Sequence, residues 1–133
     1  MDWAEIVIVF LVCHLVGDML VQTEWQASNK FGGLFGDRVS VMALYTHVAV
    51  YTLVFVPALV WIGDGEDLGA AALVGLAGII FLPHLVIDDG RLLRLYMTKV
   101  KRCSDPPPPG LAAVVDQSFH FICLWATALL AVA

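Results

Sequence analysis

The chain has 133 residues, enough for one domain. Apolar residues make up 60% of it and charged residues 14%, with a mean hydropathy of +0.86. Soluble domains carry about a quarter charged residues, so this composition excludes an ordinary soluble globule and points to an integral membrane protein. A net charge of −5 with seven basic residues excludes a nucleic-acid footprint, and three cysteines, Cys13, Cys103 and Cys123, do not make a disulfide framework.

A membrane-spanning helix needs roughly 20 apolar residues, and four windows meet that length. The first covers 3–21. Asp2 and Glu5 give it the wrong sign for the basic start of a secretory signal, so it is expected to be a span. It carries His14 and, one turn later, Asp18, with Gln22 a further turn on. The loop 22–39 holds Trp25, an expected interface anchor, together with Lys30 and Arg38. The second window, 40–62, contains the lone His47 and ends near Trp61. After the acidic turn Gly63–Asp67 the third window, 68–87, carries His84, followed at once by Asp88.

The loop 88–110 contains Arg91, Arg94, Lys99, Lys101 and Arg102. Leu92, Leu93, Tyr96, Met97 and Val100 recur there at helical spacing, which predicts a short amphipathic helix lying on a leaflet surface. Asp105 to Gly110 is a stiff proline-rich lead into the fourth window, 111–133, which carries Asp116, Gln117 and His120. The expected fold is an all-α membrane protein: a single domain, 1–133, of four transmembrane helices in a bundle built from two helical hairpins. His14-Leu15-Val16-Gly17-Asp18 repeats as His84-Leu85-Val86-Ile87-Asp88, as two related hairpins would require. Small residues Gly69, Ala70, Ala71, Gly75 and Gly78 offer a face for self-association into a homo-oligomer.

The basic residues fall in the first and third loops and none in the second. The positive-inside rule then places loops 22–39 and 88–110 in the cytoplasm and both termini outside.

Ionisable residues inside spans are costly and face the bundle interior. Each span carries one histidine, and three of them have an aspartate four residues away: His14/Asp18, His84/Asp88 and Asp116/His120. Residues four apart share a helix face. At about 1.5 Å per residue the four histidines all lie roughly 9–15 Å in from the cytoplasmic ends of their spans. The aspartate precedes its histidine only in the fourth span, where the helix direction reverses. A histidine layer under an aspartate layer, open to the cytosol, is the expected arrangement. Imidazole and carboxylate at this spacing can share a metal, or the carboxylate can orient the imidazole. The candidate ligands are His14, Asp18, His47, His84, Asp88, Asp116 and His120. Mixed N/O donors suit zinc first, with iron or manganese as alternatives, and one or two ions are expected. Cys13 and Cys123 read as packing residues.

These residues resemble the pattern of an uncharacterised family of small bacterial membrane proteins, domain of unknown function 3307. The shared features are His14, Asp18, Gln22, Trp25 and Lys30; His47; His84 and Asp88; and Asp116, Gln117 and His120. The resemblance covers nearly the whole chain and implies a bacterial inner-membrane location, but no activity. Gly90-Arg91 departs from it where a lysine is expected.

The leading functional expectation is a metal-dependent membrane hydrolase working on lipid or lipid-linked esters, amides or phosphoesters at the cytoplasmic leaflet. A bound metal would activate water and polarise the scissile group, one of Asp18, Asp88 or Asp116 would act as general base, and Gln22, Gln117, Lys30, Arg91 and Arg94 would support ligands or gather substrate. A proton or metal-ion transporter uses the same residues as a pathway, and a structural metal staple uses them without turnover. Both remain open from the sequence.

Overall fold

Asp2 starts the first helix by accepting from the Ala4 backbone N–H, while Glu5 reaches back to the Asp2 N–H in a capping box. Helix α1 (Trp3–Leu15) then widens into a π-helical turn, Val16–Leu20, closed by Val21 N–H donating to Val16 O at 2.9 Å. Such turns are rare and recur at functional sites; this one carries Asp18, which is buried. A Cβ at Gly17 would lie 2.7 Å from Tyr51 Cδ2, so only glycine lets this turn close onto the helix that carries Tyr51.

The computed structural model describes residues 1–133 and contains helices and loops but no strand. Helix α2 (Glu24–Asn29) begins on a second capping box, between Thr23 and Gln26. Asp37 caps α3 (Arg38–Val54): its carboxylate accepts from the Ser40 backbone N–H and hydroxyl, which holds that carboxyl below its ordinary pKa. Helix α3 stops at Phe55, and α4 (Val56–Glu66) leaves at an angle of 40°. Pro57 explains the break, because it has no N–H to donate to the preceding turn. The second apolar window is thus a bent pair of helices rather than one straight rod. Helix α5 (Ala70–Asp88) runs through Pro83. The basic loop forms α6 (Arg91–Leu95), entered through Gly90 at φ +77° and continued by a second π-helical turn, Tyr96–Val100. Helix α7 (Pro109–Ala131) starts with proline in its first turn, where the missing N–H is harmless.

Three segments are long and apolar enough to cross a membrane: Trp3–Leu20, Ala70–Asp88 and Pro109–Ala131. The bent pair α3–α4 makes a fourth if it counts as one span. Helix α7 packs against both α1 and α5, α5 also packs on α3, and α4 touches α1 and α5. The half of the molecule away from loops 22–37 and 89–108 is filled by Ile6, Phe10, Phe55, Ile62, Ile80 and Leu124 in one apolar cluster. The histidines occupy the other half. All buried charged or imidazole side chains lie there, so the chain sorts its ionisable groups to one end of its core.

Candidate metal centre

The four imidazoles, one from each apolar segment, come together. Ring centroids are 4.6 Å apart for His84 and His120, 5.1 Å for His47 and His84, and 5.1 Å for His14 and His120. The His14 and Asp18 pair approaches to 3.9 Å, His84 and Asp88 to 3.2 Å, and Asp116 and His120 to 3.6 Å.

Within this group the tightest convergence is around Asp88 Oδ2. His47 Nε2 lies 2.8 Å from it and His84 Nε2 3.2 Å. The two Nε2 atoms are 3.0 Å apart, and His47 Nε2 is 3.2 Å from Asp18 Oδ1. One donor atom each from Asp18, His47, His84 and Asp88 falls within a mutual 4.8 Å. Ligands at the usual zinc distances of a tetrahedral site stand about 3.3 Å from each other, so these spacings are close to the edges of a coordination polyhedron. Apart from His47 Nε2 at 3.2 Å, which is not aligned as a hydrogen bond, buried Asp18 Oδ1 has no close partner, a state that a cation would relieve. The residues present therefore fit a divalent metal.

Asp88, Asp116 and His120 form a second group of donors within the same 4.8 Å limit. His14 belongs to neither. Its two nitrogens are already engaged, Nδ1 by the Tyr51 hydroxyl at 3.0 Å and Nε2 by Gln117 Oε1 at 2.8 Å. The directions of these bonds follow from the carboxylates. Gln117 Nε2 donates to Asp18 Oδ2 at 3.1 Å and to Asp116 Oδ2 at 3.3 Å, since ionised carboxylates only accept. Its Oε1 must then accept from His14 Nε2–H, and in the neutral ring Nδ1 accepts from Tyr51. A one-way chain of hydrogen bonds, Tyr51 to His14 to Gln117, ends on two of the three aspartates. His14 supports the ligands rather than joining them, a role that fixes carboxylate orientation at metal sites.

Lys30 closes the centre from the loop side. Its Nζ is 2.7 Å from Asp88 Oδ2 and 4.0 Å from Asp18 Oδ1. The loop that brings it there is pinned by Asp89: Gly32 N–H donates to Asp89 O at 2.8 Å, and Leu34 N–H donates to Asp89 Oδ1 at 2.9 Å. Arg91 adds a bond from Nη2 to Gly32 O at 2.8 Å. A cleft of about 270 Å³ lined by Lys30, Phe31, Asp88, Gly90, Leu93 and Asp116 leads from this end to the cluster. Replacing Lys30 with Met is expected to tighten divalent-metal binding about tenfold, because a like charge beside the incoming cation is removed. Zinc titration calorimetry reads the change; weaker binding would mean that Lys30 chiefly holds Asp88 in place.

The family profile described as a protein of unknown function, DUF3307, matches residues 6–133, which include every residue of the cluster. This chain is a DUF3307 protein. No curated protein and no solved structure matches it.

The remaining candidates of this DUF3307 chain sit outside the cluster. Arg91 is committed to Gly32 and to Asp89, 3.8 Å away. Arg94 forms a two-pronged pair with Asp105, at 2.8 and 2.6 Å, which ties the proline-rich segment to α6. Those bonds hold the Asp105 carboxyl below its ordinary pKa. Gln22 is half-buried, with its Nε2 unpartnered. Two residues of the site carried no weight in the sequence. Tyr51 stacks on His84, centroids 3.5 Å apart and planes 11° apart, and its place four residues after His47 was the available signal. Asp89 had only its position beside Asp88 to mark it.

Proposed function

We propose that this chain crosses a membrane as a bundle of its four apolar segments, and that Asp18, His47, His84 and Asp88 hold a divalent metal, zinc by preference, that serves in hydrolysis of a lipid-linked ester or phosphoester. The carrying observation is the meeting of His47 Nε2, His84 Nε2 and Asp88 Oδ2 within 2.8–3.2 Å of one another. Two imidazole nitrogens and a carboxylate oxygen that close form a ready ligand set. Insertion is supported by the outward face, where Ile8, Val12, Leu53, Val74, Leu82 and Ile122 are exposed while His14, Asp18, His47, His84, Asp88 and His120 are buried.

Access from one side favours hydrolysis over transport. The cleft reaches Asp88 and Asp116 from the loop end. Beyond the histidines, Phe10, Phe55, Ile62, Ile80 and Leu124 fill the interior, and the buried polar side chains on that side are few: Tyr51, whose hydroxyl turns back to His14, and Thr127, whose hydroxyl donates to its own helix. The metal would lower the pKa of a bound water and polarise the scissile group. Asp116 faces the same cleft and is placed to take the water's proton, which then leaves with the departing alcohol. The basic loops give the cleft the sign that anionic headgroups prefer, and by the positive-inside rule they put it at the cytoplasmic leaflet.

The test uses protein purified in nanodiscs. Elemental analysis should find stoichiometric metal, and vesicles of anionic phospholipid or a chromogenic phosphoester should release product only when metal is present. Absence of bound metal would overturn the reading. So would metal flux in proteoliposomes without any product release, which is the behaviour of a transporter.

A further inference from the structure

We infer that a second divalent cation binds on the other oxygen of Asp88, held by Asp88 Oδ1, Asp116 and His120, so that Asp88 bridges two ions. The inference rests on the metal-dependent reading above and names the part of the centre that faces substrate.

The two oxygens of Asp88 serve different neighbours. Oδ2 lies against His47, His84 and Lys30 at 2.8, 3.2 and 2.7 Å. Oδ1 points the other way, to His120 Nε2 at 3.4 Å. His120 Nδ1 is 3.0 Å from the backbone carbonyl of Asp116, and a carbonyl only accepts, so Nδ1 carries the proton. In the neutral ring Nε2 then presents a lone pair. That atom is buried, on a residue only 2% exposed, and has no hydrogen-bond partner. Two electron-rich atoms, an imidazole lone pair and a carboxylate oxygen, thus face each other in a buried space. A cation between them turns that repulsion into two ligand bonds.

Asp116 completes the set with one carboxylate oxygen and keeps the other for the water's proton. Its Oδ2 is 3.6 Å from His120 Nδ1, on the same helix face as that ring, and is steadied by Gln117 Nε2 at 3.3 Å. The donors of Asp88, Asp116 and His120 all lie within 4.8 Å of one another. Three protein ligands leave positions open, as catalytic sites do and structural sites do not. The open direction is the cleft, whose wall includes Lys30, the shared Asp88 and Asp116, a ligand of the second site alone, while His47, His84, His120 and Asp18 all lie behind it. The second ion therefore meets substrate first, while the first is enclosed behind it. Paired ions about 3.5–4 Å apart clamp the attacking and leaving oxygens of a phosphoryl displacement. With the Lys30 ammonium on the same wall, the substrate class is a phosphoester rather than a neutral carboxylic ester.

Manganese is the probe. The metal-free protein in nanodiscs, loaded with Mn²⁺ alone, should bind two ions per chain by elemental analysis and give the electron paramagnetic resonance spectrum of an exchange-coupled pair. His120→Ala should bind one ion and show only an isolated-ion spectrum; Asp116→Asn, a milder change, should weaken the second ion at least tenfold with an unchanged melting curve. One ion per chain at saturation in the unaltered protein, or two retained in both variants, overturns the second site. If that single ion is lost in His47→Ala, the first site and its reading survive. No bound ion at all overturns both.

Discussion

Asp88→Asn is expected to abolish metal binding and to lower stability by about 3–5 kcal/mol, the usual effect of removing one member of a buried ion pair. Three imidazoles and an ammonium group surround this one carboxylate. His47 and Lys30 approach within 2.8 and 2.7 Å, His84 within 3.2 Å and His120 within 3.4 Å. Asparagine keeps the shape, yet turns one acceptor into an NH₂ group and removes the charge that balances Lys30. Elemental analysis should find no metal at concentrations that saturate the unaltered protein, and the melting temperature in detergent should fall. Asp105→Asn is the matched control. Its carboxylate is exposed and pairs only with Arg94, and exposed pairs contribute about 0–1 kcal/mol, so metal content should not change. An Asp88→Asn protein that keeps its metal would move the centre away from Asp88 altogether.

The helical spacing of histidine and aspartate made the site readable because it is a local rule. A helix places residues four apart on one face whatever the tertiary context, and in a chain this apolar such a face is the one that packs inward. His84 with Asp88 and His120 with Asp116 needed nothing more. The meeting of His47 with Asp18 across two segments needed only the matching depths. His14 shows where this reasoning stops. By spacing it is equivalent to His84, yet its neighbours are Tyr51 and Gln117, and a residue's hydrogen-bond partners depend on which helices touch. Helix α7 packs on α1, bringing Gln117 to His14, and the Gly17 turn brings Tyr51.

Backbone irregularities were the other hidden part. Apolar composition sees 40–62 as one window, but Pro57 divides it at Phe55. The π-helical turn at Val16–Leu20 has no composition signature, since Val, Met and Leu occur in ordinary helices and a single interior Gly is tolerated there at a cost of about 1 kcal/mol. Loop docking was equally invisible. Lys30 reaches Asp88 only because Asp89 holds Gly32 and Leu34 by hydrogen bonds, and those partners are more than fifty residues away in the chain.

Gln117→Leu is expected to weaken metal binding between 10- and 100-fold, the range typical when a group orienting metal ligands is lost, while leaving the helices intact. Gln117 is the only side chain that donates to both Asp18 and Asp116, and its Oε1 receives His14 Nε2 at 2.8 Å. Leucine fills similar volume and makes none of these bonds, so both carboxylates can turn out of register and His14 keeps a buried N–H without an acceptor. Tyr51→Phe removes a single bond at the far end of the same chain, the one to His14 Nδ1, and should weaken binding by less than tenfold. Competition of zinc against a chromophoric chelator measures both. The order of the two effects is the informative result: influence that decays from Gln117 to Tyr51 means the chain acts by orienting Asp18 and Asp116. Equal losses would mean that the Tyr51 hydroxyl governs the whole chain through His14, since phenylalanine keeps the ring that stacks on His84, centroids 3.5 Å apart.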